Sequence, residues 1–162
     1  HDTHEIAHIN KELYNIVDFE ELDEEPKVVD WWYRKDKDTG EEIAIPKFRI
    51  DTICGTVLGR NKTKHTVSLL TESGVVNVKY YGGQFSFYDR QISVPNEKGG
   101  KKIVERSWFT RGNILLIHGI RRGDQFRPKV YKNTSYAHST ELVERVYDDG
   151  YMTLLEERYN LD

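Results

Sequence analysis

The 162-residue sequence has a single cysteine and no long apolar run, and each of these features excludes a class of protein. Its single cysteine, Cys54, excludes an intrachain disulfide and a thiolate zinc cluster, and it indicates a reducing, cytoplasmic setting. The absence of any run of about 18 apolar residues excludes a transmembrane helix. The chain starts at His1 without the apolar core of a signal peptide, and its only methionine is Met152. We therefore expect a segment of a longer polypeptide.

Positive charge is concentrated in the middle of the chain. Residues 47–132 hold 17 Lys or Arg against 6 Asp or Glu, whereas residues 1–46 hold 5 against 14 and residues 133–162 hold 2 against 7. The overall charge of −3 thus hides a basic block between two acidic flanks. Such a block is typical of proteins that bind a polyanion, because neutralised phosphates release condensed counterions. A solvated face that pairs with the acidic flanks remains the alternative.

Side chains that could form a catalytic or metal centre are sparse. His1, His4 and His8 share a helical face, but no nearby carboxylate completes a metal-binding set. His118 lies in an apolar strand, where a hydrogen-bonded structural role is expected, and Cys54 is expected to be buried. No nucleophile triad, phosphate-binding loop or nucleotide fingerprint is recognisable. The sequence predicts no catalytic centre, no metal site and no cofactor, and a metal-dependent nuclease is a minor alternative.

Two acidic segments precede the basic block. Apolar residues recur at spacings of three and four over residues 3–19 and predict an amphipathic helix that ends before Pro26. Residues 27–33 predict a strand or an extended arm, residues 35–40 a turn, and residues 41–46 a return from it. We predict that residues 1–46 form an N-terminal helix and an extended acidic arm.

Five strands in the centre of the chain predict a mainly β fold. Three strands form a meander, about thirty residues follow, and two more strands come after them; the predicted ranges are 49–59, 65–71, 75–81, 113–121 and 125–131. This order is that of a five-stranded OB-fold barrel with a long insertion between strands 3 and 4, although other small barrels share the strand count. Within the insertion, residues 103–109 fit a helix or a strand. Residues 140–146 and 151–155 predict a C-terminal hairpin about Asp148-Asp149-Gly150.

Several stretches resemble a known family. They are ICGTVLGRNKTKHTVSLLT at 53–71, GVVNVKY at 74–80, GQF at 83–85, YDRQI at 88–92, SWFTRG at 107–112 and GIRRGDQF at 119–126. Together they resemble the OB-fold region near the C-terminal end of bacterial and phage C-family replicative DNA polymerases, the DNA polymerase III alpha subunit. The resemblance covers residues 47–140 and leaves residues 141–162 as an extension packed on the barrel.

The resemblance implies a non-catalytic module that binds single-stranded template DNA beside the polymerase site. The family's metal-binding aspartates belong to a separate palm domain, and neither Asp36 and Asp38 nor Asp148 and Asp149 match them. The expected partners are single-stranded DNA, the remainder of the polymerase chain and replisome subunits, with no membrane and a monomeric state in isolation. The alternative is a protein-interaction barrel that docks another replisome subunit.

Candidate DNA-binding residues lie on the two loops that flank the binding face of an OB barrel and on the strands between them. Basic side chains would follow the phosphates and aromatic rings would stack on bases. The predicted set is Arg60, Lys62, Lys64, Lys79, Tyr81, Tyr88, Arg121, Arg122, Arg127 and Lys129.

The aromatic residues of the insertion could stack on bases or be buried in the barrel. Phe85, Phe87 and Tyr88 follow the third strand and are expected to plug one end of the barrel, with Tyr88 the most exposed of the three. Trp108 and Phe109 are expected in the core. For the loop cations the alternative role is solubility, and for Tyr81 it is a core or rim position.

Overall fold

The computed structural model describes residues 15–130, 139–146 and 149–161, without the side chains of residues 90, 92, 105 and 149. The described part is mainly β, as predicted. Its strands are β1 (Val28–Lys35), β2 (Glu42–Phe48), β3 (Asp51–Asn61), β4 (Thr66–Thr71), β5 (Gly74–Lys79), β6 (Asp89–Pro95), β7 (Lys101–Ser107), β8 (Ile114–Arg122), β9 (Gln125–Pro128) and β10 (Thr140–Glu144). Its helices are α1 (Gly82–Phe87) and α2 (Asp149–Tyr159), with a 3₁₀ turn at Phe19–Glu21.

Five of these strands close into a barrel. Strand β3 pairs with β4 and β8, and β4 pairs with β5, all antiparallel. Strand β9 runs parallel to β5, with Asn77 opposite Gln125, and antiparallel to β8, which completes the ring. The order around the barrel is therefore β8-β3-β4-β5-β9 and back to β8. The predicted five-stranded barrel is confirmed.

The barrel interior follows from alternation along the strands. On β4, Val67 and Leu69 are fully buried inside, while Ser68 between them points outward and contacts Asn77 of β5. Strand β8 is apolar on both faces, because its outer residues Ile114 and Leu116 pack with Ile16, Cys54 and Val146 outside the barrel. This second layer explains the near-continuous apolar run of the fourth barrel strand.

Two glycines allow close backbone approaches in the barrel. A Cβ on Gly55 of β3 would lie 2.4 Å from the Leu70 carbonyl oxygen, and one on Gly119 of β8 would lie 2.1 Å from the Arg127 carbonyl oxygen. Both distances are far inside van der Waals contact, so neither position accommodates a side chain without moving backbone. Gly119 sits where β8 meets β9 and the barrel closes.

Two segments outside the strands pack onto the interior. Phe19 and Leu22 of the N-terminal turn join the core, where the Phe19 ring lies edge-on to Phe126 at 6.5 Å between centroids. From the connection between β5 and β8, Phe85 and Tyr88 are also buried in this core. The predicted hydrophobic plug after the third strand is confirmed, although the expectation that Tyr88 is exposed is wrong.

Two hairpins extend from the barrel. We call β1–β2 (Val28–Phe48) the arm; it is an antiparallel pair with Trp32 opposite Ile45, as the strand and return of the sequence predicted. We call β6–β7 (Asp89–Ser107) the side hairpin, and it resolves residues 101–107 as a strand. The arm is joined to the barrel at its root, where the Arg49 amide donates to the Lys27 carbonyl at 2.8 Å.

The chain outside the barrel departs from the prediction in two places. Residues 3–14 of the predicted N-terminal helix lie outside the described residues, but residues 15–18 are not helical, since Ile16 forms a parallel bridge with Thr52. The predicted C-terminal hairpin is wrong: its first half is β10, which pairs with β8, and its second half is the helix α2. Helix α2 buries Tyr151, Met152 and Leu155 against Leu70. No helix in the described part of the chain is long and apolar enough to cross a membrane.

Candidate nucleic-acid interface

A groove of about 1040 Å³ runs between the arm and the outer surface of the barrel. One wall is the arm, contributed by residues of β1 and β2. The other wall comes from the end of β8, from β9 and the residues after it, and from Tyr81 just beyond β5. We call this space the groove.

The charged residues that line the groove are all cations. Arg34 and Lys47 lie on the arm, whereas Arg122, Arg127 and Lys129 lie on the barrel wall. No carboxylate is among the described residues that line it. Five positive charges in one concave space concentrate a positive potential, which attracts a polyanion and is weakened by salt.

The remaining lining is largely aromatic and aliphatic. Trp32 is 61% exposed, Tyr33 63% and Tyr81 58%. Between them lie Ile45, Pro46, Phe48, Ile50, Ile120, Pro128 and Val130. Exposed aromatic rings beside cations are the combination with which proteins hold single-stranded nucleic acid.

The predicted cations of the first barrel loop lie outside the groove. The Arg60 side chain is only 16% exposed; its Nη1 donates to Asp89 Oδ1 at 2.8 Å and to Ser107 Oγ at 3.1 Å. Lys62 is more exposed and approaches Asp89 Oδ2 at 3.9 Å. Arg60 therefore ties the barrel to the base of the side hairpin.

Lys64, on the same loop as Lys62, and Lys79 of β5 also lie outside the groove. The Lys79 ammonium donates to the Lys64 carbonyl, and the Lys64 amide donates to Asn61 Oδ1 at 3.0 Å. Lys79 faces outward from β5 opposite Thr66, on the surface that also carries Asn77. Both lysines lie at the barrel surface, near the end of β5 that leads to Tyr81.

The two arginines of the second barrel loop have different environments. Arg121 Nη1 donates to the carbonyls of Phe19 at 3.0 Å and Leu22 at 2.9 Å, and Nε donates to the Gly123 carbonyl at 2.7 Å. Its guanidinium also lies 4.2 Å from the Phe19 ring centroid. These contacts hold the N-terminal segment against the barrel, and Arg121 is not among the residues that line the groove. Arg122 is exposed, lines the groove and lies 5.2 Å from the Phe48 ring centroid of the arm.

The remaining predicted cations belong to the groove. Arg127 and Lys129 are half-buried in its barrel wall. Arg127 Nε is buried and has no hydrogen-bond partner in the described part of the chain. Backbone contacts fix the neighbouring Lys129, whose amide donates to the His118 carbonyl at 2.8 Å and whose carbonyl accepts from Gln84 Nε2 at 3.0 Å.

The two predicted aromatic platforms differ in accessibility. Tyr81 projects into the groove, whereas Tyr88 is 3% exposed and packs against Tyr80 and Phe109. Tyr88 is therefore a core residue and no base can stack on it. In the same cluster, burial raises the pKa of the Tyr80 hydroxyl well above its usual value of 10.0, an effect that the hydrogen bond to Thr140 opposes.

The remaining predictions concern a structural histidine, core residues and a possible metal site. His118 Nδ1 lies 2.7 Å from Thr52 Oγ1 and its Nε2 lies 2.8 Å from Glu141 Oε2, which confirms a hydrogen-bonded histidine. Phe109 is buried and Trp108 packs partly buried against the core, as predicted, and Cys54 is buried. His1, His4 and His8 lie outside the described residues; within those residues no group of three potential metal ligands is present.

Sequence reasoning missed the wall formed by the arm. Trp32, Arg34 and Lys47 fall in or beside the acidic N-terminal segment, so its negative total concealed their position against the basic barrel. One local feature of the sequence could have indicated that the arm forms a binding wall. The run Trp31-Trp32-Tyr33 lies on a two-stranded hairpin, which has no second layer to bury large rings.

Comparisons with known proteins relate the chain to DNA polymerases. It is 39% identical over 161 residues, 98% of its length, to the "Probable DNA polymerase YorL" of Bacillus subtilis (strain 168). The same figures hold for a "DNA-directed DNA polymerase" of Bacillus phage SPbeta. The chain spans 12% of the length of each of these homologues. No protein-family model and no solved structure matches it.

Proposed function

We propose that this chain is an OB-fold module of a C-family replicative DNA polymerase and that it binds single-stranded template DNA. Two findings support the proposal. The barrel has a three-strand meander followed by a helix and a hairpin before its last two strands, the arrangement expected of an OB-fold. Its homologues are DNA polymerases. We assign polymerisation itself to other parts of such a polymerase, because this chain spans only 12% of the length of each homologue.

The groove is the observation that carries the proposal. It joins five cations, no described carboxylate and three exposed aromatic rings in one concave surface beside β9. A single strand presents a phosphate backbone and unstacked bases together, and it can use both kinds of side chain at once. A duplex hides its bases and would use only the charges.

The barrel wall supplies the core of the proposed site. Arg122, Arg127 and Lys129 would contact phosphates, and Tyr81 would stack on a base. Arg127 suits this role because it lines the groove and places a positive charge on the barrel wall. Lys62, Lys64 and Lys79 would extend the path of the backbone across the barrel surface beyond the groove.

The test compares two triple variants by fluorescence anisotropy with labelled oligo-dT. In the first, Arg122, Arg127 and Lys129 are each changed to Gln. In the control, Lys98, Lys101 and Lys102 at the tip of the side hairpin are changed to Gln, which removes the same charge from an exposed surface. We expect the groove variant to bind at least tenfold more weakly. Its salt slope should fall by about 0.7 for each lost phosphate contact, while the control stays within about twofold of the parent.

Two results would overturn the proposal. If the parent chain does not bind oligo-dT, or binds it without salt dependence, the barrel is better explained as a docking surface for another replisome subunit. If only the control variant loses affinity, DNA is bound at the side hairpin and the groove is not the site. Thermal melting of both variants verifies that the barrel remains folded.

A further inference from the structure

The arm exposes large aromatic rings that contribute nothing to the described core. Trp31 is 50% exposed, Trp32 61% and Tyr33 63%, and none of them belongs to a buried cluster. A two-stranded hairpin is marginal by itself, and large exposed apolar surface lowers solubility. A binding role explains why three such rings are placed on a projecting hairpin.

The two tryptophans lie on opposite faces of the arm. Trp32 pairs with Ile45, and Trp31 with Pro46, so alternation along β1 separates their side chains. Trp32 lines the groove, whereas Trp31 does not. The Lys47 ammonium lies 5.8 Å from the centroid of the Trp32 ring. A flat ring with an adjacent positive charge is therefore turned toward the barrel.

The opposite wall carries a matching set of groups. Tyr81 provides an exposed ring there, and Arg122 and Arg127 provide charge. At the base, Arg122 lies over the Phe48 ring, and the Arg49–Lys27 backbone hydrogen bond fixes the root of the arm. The arm is thus held across from the barrel wall, with the Trp32 ring in the groove.

We propose that the arm is a clamp that holds single-stranded DNA against the barrel wall. Trp32 stacks on one base, and Lys47 and Arg34 contact the adjoining phosphates, while Tyr81 takes a base on the barrel wall. The ligand is a single strand because stacking on two separate rings requires unpaired, splayed bases. This inference rests on the proposed function and assigns the arm a part in the same site.

Single substitutions of the two tryptophans test the clamp in the full 162-residue chain. Trp32→Ala should weaken binding to oligo-dT about tenfold, the order of effect of one lost stacking contact. The salt slope should not change, because stacking releases few counterions. Trp31→Ala is the matched control: it removes the same exposed side chain from the other face and should leave the affinity within about twofold.

A conservative variant and a spectroscopic signal complete the test. Trp32→Phe keeps a flat ring and should retain most of the affinity that Trp32→Ala loses. A stacked base quenches indole fluorescence, so the parent and Trp31→Phe should show quenching on adding oligo-dT. Trp32→Phe should lose most of that signal although it still binds.

The possible failures separate the clamp from the barrel site. If Trp32→Ala binds like Trp31→Ala while the Arg122, Arg127 and Lys129 variant is weakened, the clamp is wrong and the barrel-wall site stands. If the parent does not bind oligo-dT, both proposals fall. Equal losses for Trp31→Ala and Trp32→Ala would also overturn the clamp, because they would indicate a general effect of arm hydrophobicity.

Discussion

The barrel and the arm are both rich in aromatic residues, but they use them in opposite ways. In the barrel, Tyr80 lies within 4.8 Å of Phe109 between ring centroids, and Phe85 stacks on Phe109 at 5.2 Å. In the arm, Trp32 contacts a lysine and is otherwise turned to the groove. Ring burial depends on whether a second layer of structure covers the strand. The barrel has one and the arm does not.

The largest expected change in the free energy of unfolding concerns Arg121, which we compare with its neighbour Arg122. Arg121 holds the N-terminal segment on the barrel, whereas Arg122 faces the arm. Changing Arg121 to Gln removes charge-assisted hydrogen bonds to three backbone carbonyls and the contact with Phe19. We expect the free energy of unfolding to fall by about 2 kcal/mol, because such bonds contribute about 1.5–3 kcal/mol. Arg122→Gln should cost no more than about 0.5 kcal/mol.

Urea denaturation of the two arginine variants measures both values. Oligo-dT anisotropy on the same samples should show the reverse order, with Arg122→Gln the weaker binder. Equal stability losses for the two variants would mean that Arg121 does not anchor the N-terminal segment. Equal stability combined with a larger binding loss for Arg121→Gln would return Arg121 to the DNA site.

A second prediction uses pH to test the burial of a tyrosine in the barrel core. Burial raises the pKa of the Tyr80 hydroxyl, so above about pH 10 the unfolded chain releases this proton while the folded barrel retains it. The stability is complete below about pH 10 and falls above it, by up to about 1.4 kcal/mol per pH unit for each such tyrosine. Burial also raises the pKa of Tyr151, which adds to the slope.

Tyr80→Phe should flatten this alkaline loss in urea denaturation between about pH 9 and pH 11. The variant loses the hydrogen bond to Thr140 Oγ1, so its stability near pH 8 should be lower than that of the parent by about 1 kcal/mol. A slope that Tyr80→Phe leaves unchanged would contradict the assignment of the proton release to Tyr80.

Local pattern was sufficient to predict the barrel. Alternation at Val67, Ser68 and Leu69 and the positions of turns located the five strands, since side-chain period and strand geometry are linked directly. The C-terminal prediction failed because Asp149-Gly150 has the composition of a turn. Tyr151, Met152 and Leu155 instead bury a helical face on Leu70, a contact about eighty residues distant in sequence. A turn signal cannot reveal whether such a surface exists.

The candidate site was less predictable because its residues depend on long-range partners. Alternation along β8 separates Arg121 from Arg122, but it does not show that one meets the carbonyls of Phe19 and Leu22 while the other lines the groove. The same limitation hid the arm. The charge summed over the first 46 residues is negative, although folding brings Arg34 of this segment to the basic side of the barrel.

The smallest expected effect concerns the stability of the arm tryptophans. Trp31 and Trp32 are 50% and 61% exposed, so replacing either by Ala removes a comparable, partial burial of apolar area. Each variant should lower the free energy of unfolding by about 1 kcal/mol or less, the range of a cross-strand pair. Urea denaturation monitored by far-ultraviolet circular dichroism measures this without relying on the deleted fluorophores. A loss above about 2 kcal/mol in Trp32→Ala would mean that this ring is a packing element, and its weaker DNA binding would then report unfolding. Near-equal, small changes in both variants would leave the groove-facing position of Trp32 as the difference between them, so any gap in affinity would arise from contact with the DNA.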